Sequence, residues 1–246
     1  VMLHIGTSGW QYRDWRGPFY PETLPQRAWL GHYAGVFTTV EVNNTFYRLP
    51  QRSTFSAWAA AVPAGFTMAV KMSRYLTHIR RLSDPSEPVA RFMDRATALG
   101  DHLGPVLLQL PPNLPARPDA LDATLREFPA ATRVVVEPRH DSWWCDEVRD
   151  VMSRHGAALC WADRRSRVLT PLWKTADFGY VRLHEGRGTP ATSYGIRALD
   201  TWLSRISGCY DAGQDVYVYF NNDTGGAAVA NAQTLLRRSG SGRHPG

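Results

Sequence analysis

Eight short apolar runs, each ending in or running into polar or charged residues, constrain this chain more than any other feature. They are LHIGTSGW (3–10), TTVEVNNTFY (38–47), FTMAVKMSR (66–74), PVLLQLPP (105–112), RVVVEPRH (133–140), AALCWAD (157–163), GYVRLHEG (179–186) and DVYVYFNND (215–223). Near-continuous apolar runs of this length describe strands buried on both faces, which is how parallel strands read. A polar tip at the C-terminal end of each run is where β/α barrels build their sites. The tips supply Ser8, Glu41, Asn43, Lys71, Gln109, Glu137, Arg139, Asp163, Arg182, His184, Asn221 and Asp223.

Helical patterns fall between most of the runs: 25–34, 54–62 with Ser53 as N-cap, 87–99 ended by Gly100, 119–128 stopped by Pro129, 144–155 ended by Gly156, 196–206 and 227–237. Strand followed by helix, repeated, implies a parallel sheet with right-handed crossovers. The interval 163–178 has arginines, Pro171 and Trp173 but no helical period, so an irregular or very short connection is expected there. At 246 residues the chain matches one eight-stranded barrel. The expected fold is α/β, an irregular (β/α)8 TIM-type barrel, a single domain over 1–238 with a flexible tail (SGSGRHPG) over 239–246. An open doubly wound sheet is the competitor, and no strand-to-helix turn carries GxGxxG or a P-loop to support it.

The composition, 43% hydrophobic and 20% charged, is that of an ordinary globular chain. A net charge of +6 favours anionic partners, although solubility alone also accounts for it. Three cysteines, Cys145, Cys160 and Cys209, form no CxxC pair, which argues against a disulfide framework and a structural zinc site. A cytoplasmic location is expected, with no signal peptide and no membrane association, because the chain enters a strand pattern at once and no apolar run reaches about 20 residues.

Several blocks go beyond patterning: GTSGWQYRDWRGPFYP (6–21), VEVNNTFYRLP (40–50), VKMSRYLTH (70–78), LGPVLLQLPP (103–112), VVVEPRHDSWW (134–144) and YVYFNND (217–223). In type, order and spacing they resemble the YecE-like family, a group catalogued as domain of unknown function seventy-two. The resemblance covers nearly the whole chain. It implies an irregular β/α barrel with the motif blocks at strand tips, and it supplies no reaction. The short, arginine-rich interval after the sixth strand departs from the expected pattern and leaves the role of Asp163 open.

Glu41 and Glu137 follow β-branched runs and form the leading catalytic pair, with Lys71 as third member. Two carboxylates in one cleft can hold different protonation states and act as acid and base, or as nucleophile and acid in glycoside cleavage. The alternative is a salt bridge to Lys71, Arg139 or Arg182. Lys71 is either a Schiff-base nucleophile or a fixed cation, and nearby carboxylates favour the cation. Arg139, Arg182 and His184 with Lys71 suit an anion pocket, because a guanidinium grips oxyanions at two points. Asn43, Gln109, Asn221 and Asp223 are placed to orient a ligand, and Trp10, Tyr12, Tyr47 and Trp143 to stack on its ring. Trp15 and Phe19 suit packing of the first loop. His78, His140 and His184 with Glu137, Asp163 and Asp223 are ligand types for a metal, but no HxH, HExxH or HxxxH spacing supports one. Neither a metal nor another cofactor is expected, and protein partners are not specified. The expected function is hydrolysis of a polar, anionic sugar- or phosphate-containing small molecule. Nucleic-acid binding or processing, and non-catalytic metabolite binding, are the alternatives.

Overall fold

The computed structural model describes residues 1–189 and 192–240. The tail assigned to 239–246 therefore lies mostly outside the described residues, and its first member, Ser239, closes the last helix. Eight strands alternate with helices in chain order: β1 (Met2–Thr7), β2 (Thr39–Val42), β3 (Thr67–Lys71), β4 (Leu103–Gln109), β5 (Val134–Glu137), β6 (Ala158–Arg164), then β8 (Gly179–Glu185) and β9 (Asp215–Phe220). A short β7 (Arg167–Val168) is the antiparallel hairpin partner of β6. The fold is the irregular (β/α)8 barrel. All eight apolar runs form the strands expected of them, and β2 and β5 are buried at every position. Burial of each Val or Leu contributes about 1.5–3 kcal/mol, which outweighs any helical preference of such short runs.

The chain divides into two compact units, one of 1–40, 161–170 and 178–246, the other of 41–160 and 171–177. In the first, β1 and β8 flank β9 in parallel, with Ile5 level with Val218 and Val181 level with the same residue. Its helices are α1 (Trp29–Ala34), α7 (Ile196–Cys209) and α8 (Ala227–Ser239). The expected irregular interval is the β6–β7 hairpin, turned by Arg165 and Ser166 at φ of 54° and 59°, followed by coil.

In the second unit β3, β4 and β5 run parallel, with Gln109 level with Glu137 and Lys71 level with Leu107. Its helices are α2 (Asn44–Tyr47), α3 (Arg52–Ala60), α4 (Ser86–Ala96), α5 (Pro118–Arg126) and α6 (Asp146–Arg154). α2 carries no periodic signal and has no counterpart among the expected helices. α3 starts at Arg52, after Pro50, so Ser53 lies in its first turn and is not its N-cap. α4 gives way at Thr97 to a 3-10 stretch, and Gly100, at φ 56° and ψ −132°, breaks the helical path where its end was expected, before a short turn reaches His102. Gly156, at φ 59°, follows α6 as expected of a C-terminal cap. Among the described residues, no helix is long and apolar enough to cross a membrane.

Candidate functional site

In the second unit the polar strand tips come together with a cluster of cations. Parallel register partners project to the same face of a sheet, and so do residues two apart on one strand. Lys71, Gln109 and Glu137 therefore share a face, with Lys71 about 7 Å, two residues, below the other pair. Glu41, Glu137 and Lys71 are 0%, 1% and 8% exposed, so three ionisable side chains are almost wholly withdrawn from water. Charges so placed persist only with compensating partners. Glu137 has one in Arg139, whose Nη2 lies 3.0 Å from Oε1.

The loops after β2 and β3 complete this cluster. Thr45 on α2 donates its hydroxyl to the Lys71 carbonyl at 2.6 Å, which locks α2 onto the end of β3. Phe46, beside it, presents its ring 4.1 Å from Lys71 Nζ. The edge of the same ring meets His78, with centroids 4.9 Å apart. His78 lies on a π-helical turn, Tyr75–Ile79, an irregularity frequent at functional sites. Burial, then the charges of Lys71, Arg74 and Arg139, lower its pKa from 6.5 to about 4. The imidazole is thus neutral at physiological pH and is surrounded by three cations. Asn43, which ends the same strand as Glu41, keeps a buried Oδ1 with no hydrogen-bond partner. Tyr47 is 73% exposed and meets Phe46 edge-on. Trp143 is fully buried, and its indole N–H donates to the Leu114 carbonyl at 2.8 Å, so it packs the loop after β5.

The first unit holds the remaining tips. Asn221 Nδ2 donates to His184 Nδ1 at 3.1 Å, joining the ends of β9 and β8. A neutral His184 then carries its proton on Nε2. Arg182 is 1% exposed on β8, level with Tyr219. The Tyr12 hydroxyl donates to the Ser8 carbonyl at 2.6 Å and reaches the Asp223 carboxylate. Burial, with the charge of Asp14 adding, pushes the Asp223 carboxyl above its ordinary value. Gly9, at φ 93°, lets the chain turn where a Cβ would lie 2.9 Å from the Tyr12 hydroxyl. Trp10 is buried, and its carbonyl accepts from Tyr20 at 2.7 Å. Trp15, Phe19, Tyr20 and Trp29 pack together, with Tyr20 stacked on Trp29 at 4.6 Å, so the first loop has its own aromatic core.

The Asp163 carboxylate is tied to residues of its own unit. Its Oδ1 accepts from the Tyr194 hydroxyl at 2.9 Å and from Ser166 N at 3.2 Å, and Trp202 of α7 donates to the same carboxylate. Arg74 went unrecognised in the sequence, because only the turn that follows it carries its charge towards His78. Among the described residues, no three His, Cys, Asp or Glu side chains gather in a group able to hold a metal.

Comparisons with known proteins agree with this architecture. The model of DUF72, a protein family of unknown function, matches residues 4–245. The chain is similar to YunF of Bacillus subtilis, 22% identical over 96% of this chain and 94% of that protein. It is similar to YecE of Escherichia coli, 27% identical over 58% of this chain and 50% of that one. Among solved structures, a DUF72 family protein of Thermotoga maritima superposes with a TM-score of 0.86 at 26% identity, covering 98% of this chain and 100% of the other. With the family model spanning almost its whole length, this chain belongs to the DUF72 family.

Proposed function

We propose that this protein is an enzyme that hydrolyses a polar, anionic small molecule containing sugar or phosphate, at the tips of β2 to β5. The observation that carries the reading is the convergence of Lys71, Arg74 and Arg139 on a neutral His78, beside the buried carboxylate of Glu137. Burial first, and then these three cations, disfavour the protonation of His78, and the cations supply a field that an oxyanion would relieve. Lys71 and Arg139 hold the anionic group, with the guanidinium engaging two oxygens. Asn43 offers an acceptor to a hydroxyl, and Gln109 orients the same end of the ligand. Glu137, paired with Arg139, serves as the base and Glu41 as the acid. The face of Phe46 and the exposed ring of Tyr47 provide apolar surface for a ring. A reducing cytoplasm suits the three cysteines, which form no disulfide among the described residues.

The test begins with release of product from a panel of sugar phosphates and glycosides. Glu137→Gln is expected to lower turnover by about 10²–10⁴-fold while the protein still melts cooperatively. A Glu137→Gln protein with full activity on the identified substrate would remove Glu137 from the chemistry.

A further inference from the structure

A groove of about 490 Å3 opens on the second unit, lined by Leu49, Ser73, Tyr75, Pro88, Arg91 and Arg95. Arg91 and Arg95 stand one turn apart on α4, so both side chains leave the helix on one face. Arg95 is half-buried, and its Nη1 donates to the carbonyls of Leu49 and Pro50 at 3.2 and 3.1 Å. Those acceptors are neutral, so they fix the guanidinium without cancelling its charge. Arg91 lies with its Cζ 5.4 Å from the centre of the Tyr75 ring. Its carboxylate partner, Glu87 at 3.2 Å, is well exposed, so solvent screens the pair. Ser73 Oγ accepts from the Tyr75 backbone at 3.3 Å, which leaves its O–H to donate.

The polar groups of this lining are two guanidinium ions and two hydroxyls, and no lining residue carries a carboxylate. Asp94, next to Arg95 in the chain, is drawn instead to Arg52 at 3.8 Å. A concave surface with surplus donors and a guanidinium, that of Arg95, held by neutral carbonyls suits an oxyanion. Two guanidinium ions and two hydroxyls offer more donors than a single carboxylate can accept, and a phosphate dianion has the oxygens to use them.

We infer that this groove is a second, separate binding site, which takes a phosphate group on Arg95 and Arg91 with the Ser73 and Tyr75 hydroxyls. It does not depend on the hydrolytic reading above, because none of its lining residues belongs to that chemistry.

The test is a titration of the full-length protein with inorganic phosphate at constant ionic strength, with chloride as the balancing anion. The read-out is the set of arginine Nε–Hε resonances in ¹⁵N-labelled protein. The Arg91 and Arg95 signals are expected to shift and saturate. Arg95→Gln is expected to weaken the affinity at least tenfold. Arg91→Gln, which disturbs no backbone tie, is expected to weaken it severalfold. Lys71→Met is expected to leave it within twofold of wild type. A phosphate monoester run in parallel distinguishes a site for phosphorylated ligands, which the ester saturates, from one for free phosphate, which it does not. Signals that move no more with phosphate than with chloride overturn the inference, and so does wild-type affinity in both arginine variants. Affinity lost only in Lys71→Met would also overturn it, while favouring the strand-tip site.

Discussion

His78 resists protonation because burial removes its solvent and because Lys71, Arg74 and Arg139 already crowd its surroundings with positive charge. On unfolding it returns to its ordinary value of about 6.5. Between about 6.5 and about 4 the unfolded chain therefore binds a proton that the folded chain refuses. Stability from this group is complete above that window and declines as the pH falls through it. A proton-NMR titration is expected to show a midpoint near 4, and His78→Gln is expected to flatten that part of the stability–pH curve. A saturating phosphate ester at the strand tips is expected to raise the midpoint, since an anion offsets the three cations. An unmoved midpoint at saturation would mean that the anion binds elsewhere. At this scale the sequence was only partly legible. Glu137 and Asp163 both end apolar runs, but Glu137 shares a face with Lys71 and Gln109, whereas the Asp163 carboxylate is taken up by Tyr194 and Ser166. Asp163 sits beside Trp161, which packs on Tyr210 with ring centres 5.5 Å apart, and it reaches Tyr194 and Trp202. Which way a tip residue points is decided by the packing of its strand, and an apolar run on both faces does not encode it.

Elements were more legible, because burial of whole strands leaves a strong pattern and the loops between them do not. All eight barrel strands lie within their apolar runs to within a residue or two. The two features that build the cation cluster, α2 and the π-helical turn, are too short for any periodicity to register. Another hidden device holds the start of the fold together. The Tyr33 hydroxyl of α1 accepts from the Thr7 backbone N–H at 2.9 Å and donates to the Thr39 carbonyl at 3.1 Å. This joins residues of β1 and β2, which stand at opposite ends of the hydrogen-bonded strand order. Tyr33→Phe takes both of these hydrogen bonds from buried backbone groups. It is expected to cost about 1–3 kcal/mol in chemical denaturation. Gly6 allows this close approach, because a Cβ there would lie 2.2 Å from the Thr39 carbonyl oxygen. Gly6→Ala is expected to destabilise more than Tyr33→Phe, since backbone and not a flexible side chain would have to move. Equal stability of the Gly6→Ala and wild-type proteins would show that this approach is loose.

At the scale of the whole molecule, the length and the strand–helix rhythm specify the barrel, and the net charge of +6 specifies only a preference of sign. Whether that charge is dispersed for solubility or gathered for binding depends on tertiary placement. Many of the individual arginines are engaged in surface pairs, such as Arg238 with Asp200 and Arg149 with Asp146, which add nothing to the net charge. The cations near His78 are different, because they surround buried groups. The proposed chemistry draws on four strand tips and two loops and has no contiguous motif, so the fold was legible where the reaction was not. The most direct test is a thermal-shift comparison of two proteins that both carry Arg95→Gln to weaken the α4 groove, one with Lys71 and one with Lys71→Met, against sugar phosphates, nucleotides, short oligonucleotides and uncharged sugars. Ligands that bind the native state raise the melting temperature by mass action. A phosphate-bearing small molecule is expected to stabilise the protein that keeps Lys71 by several degrees and the Lys71→Met protein by far less. Stabilisation by oligonucleotides alone, or an equal shift in both proteins, would contradict this expectation.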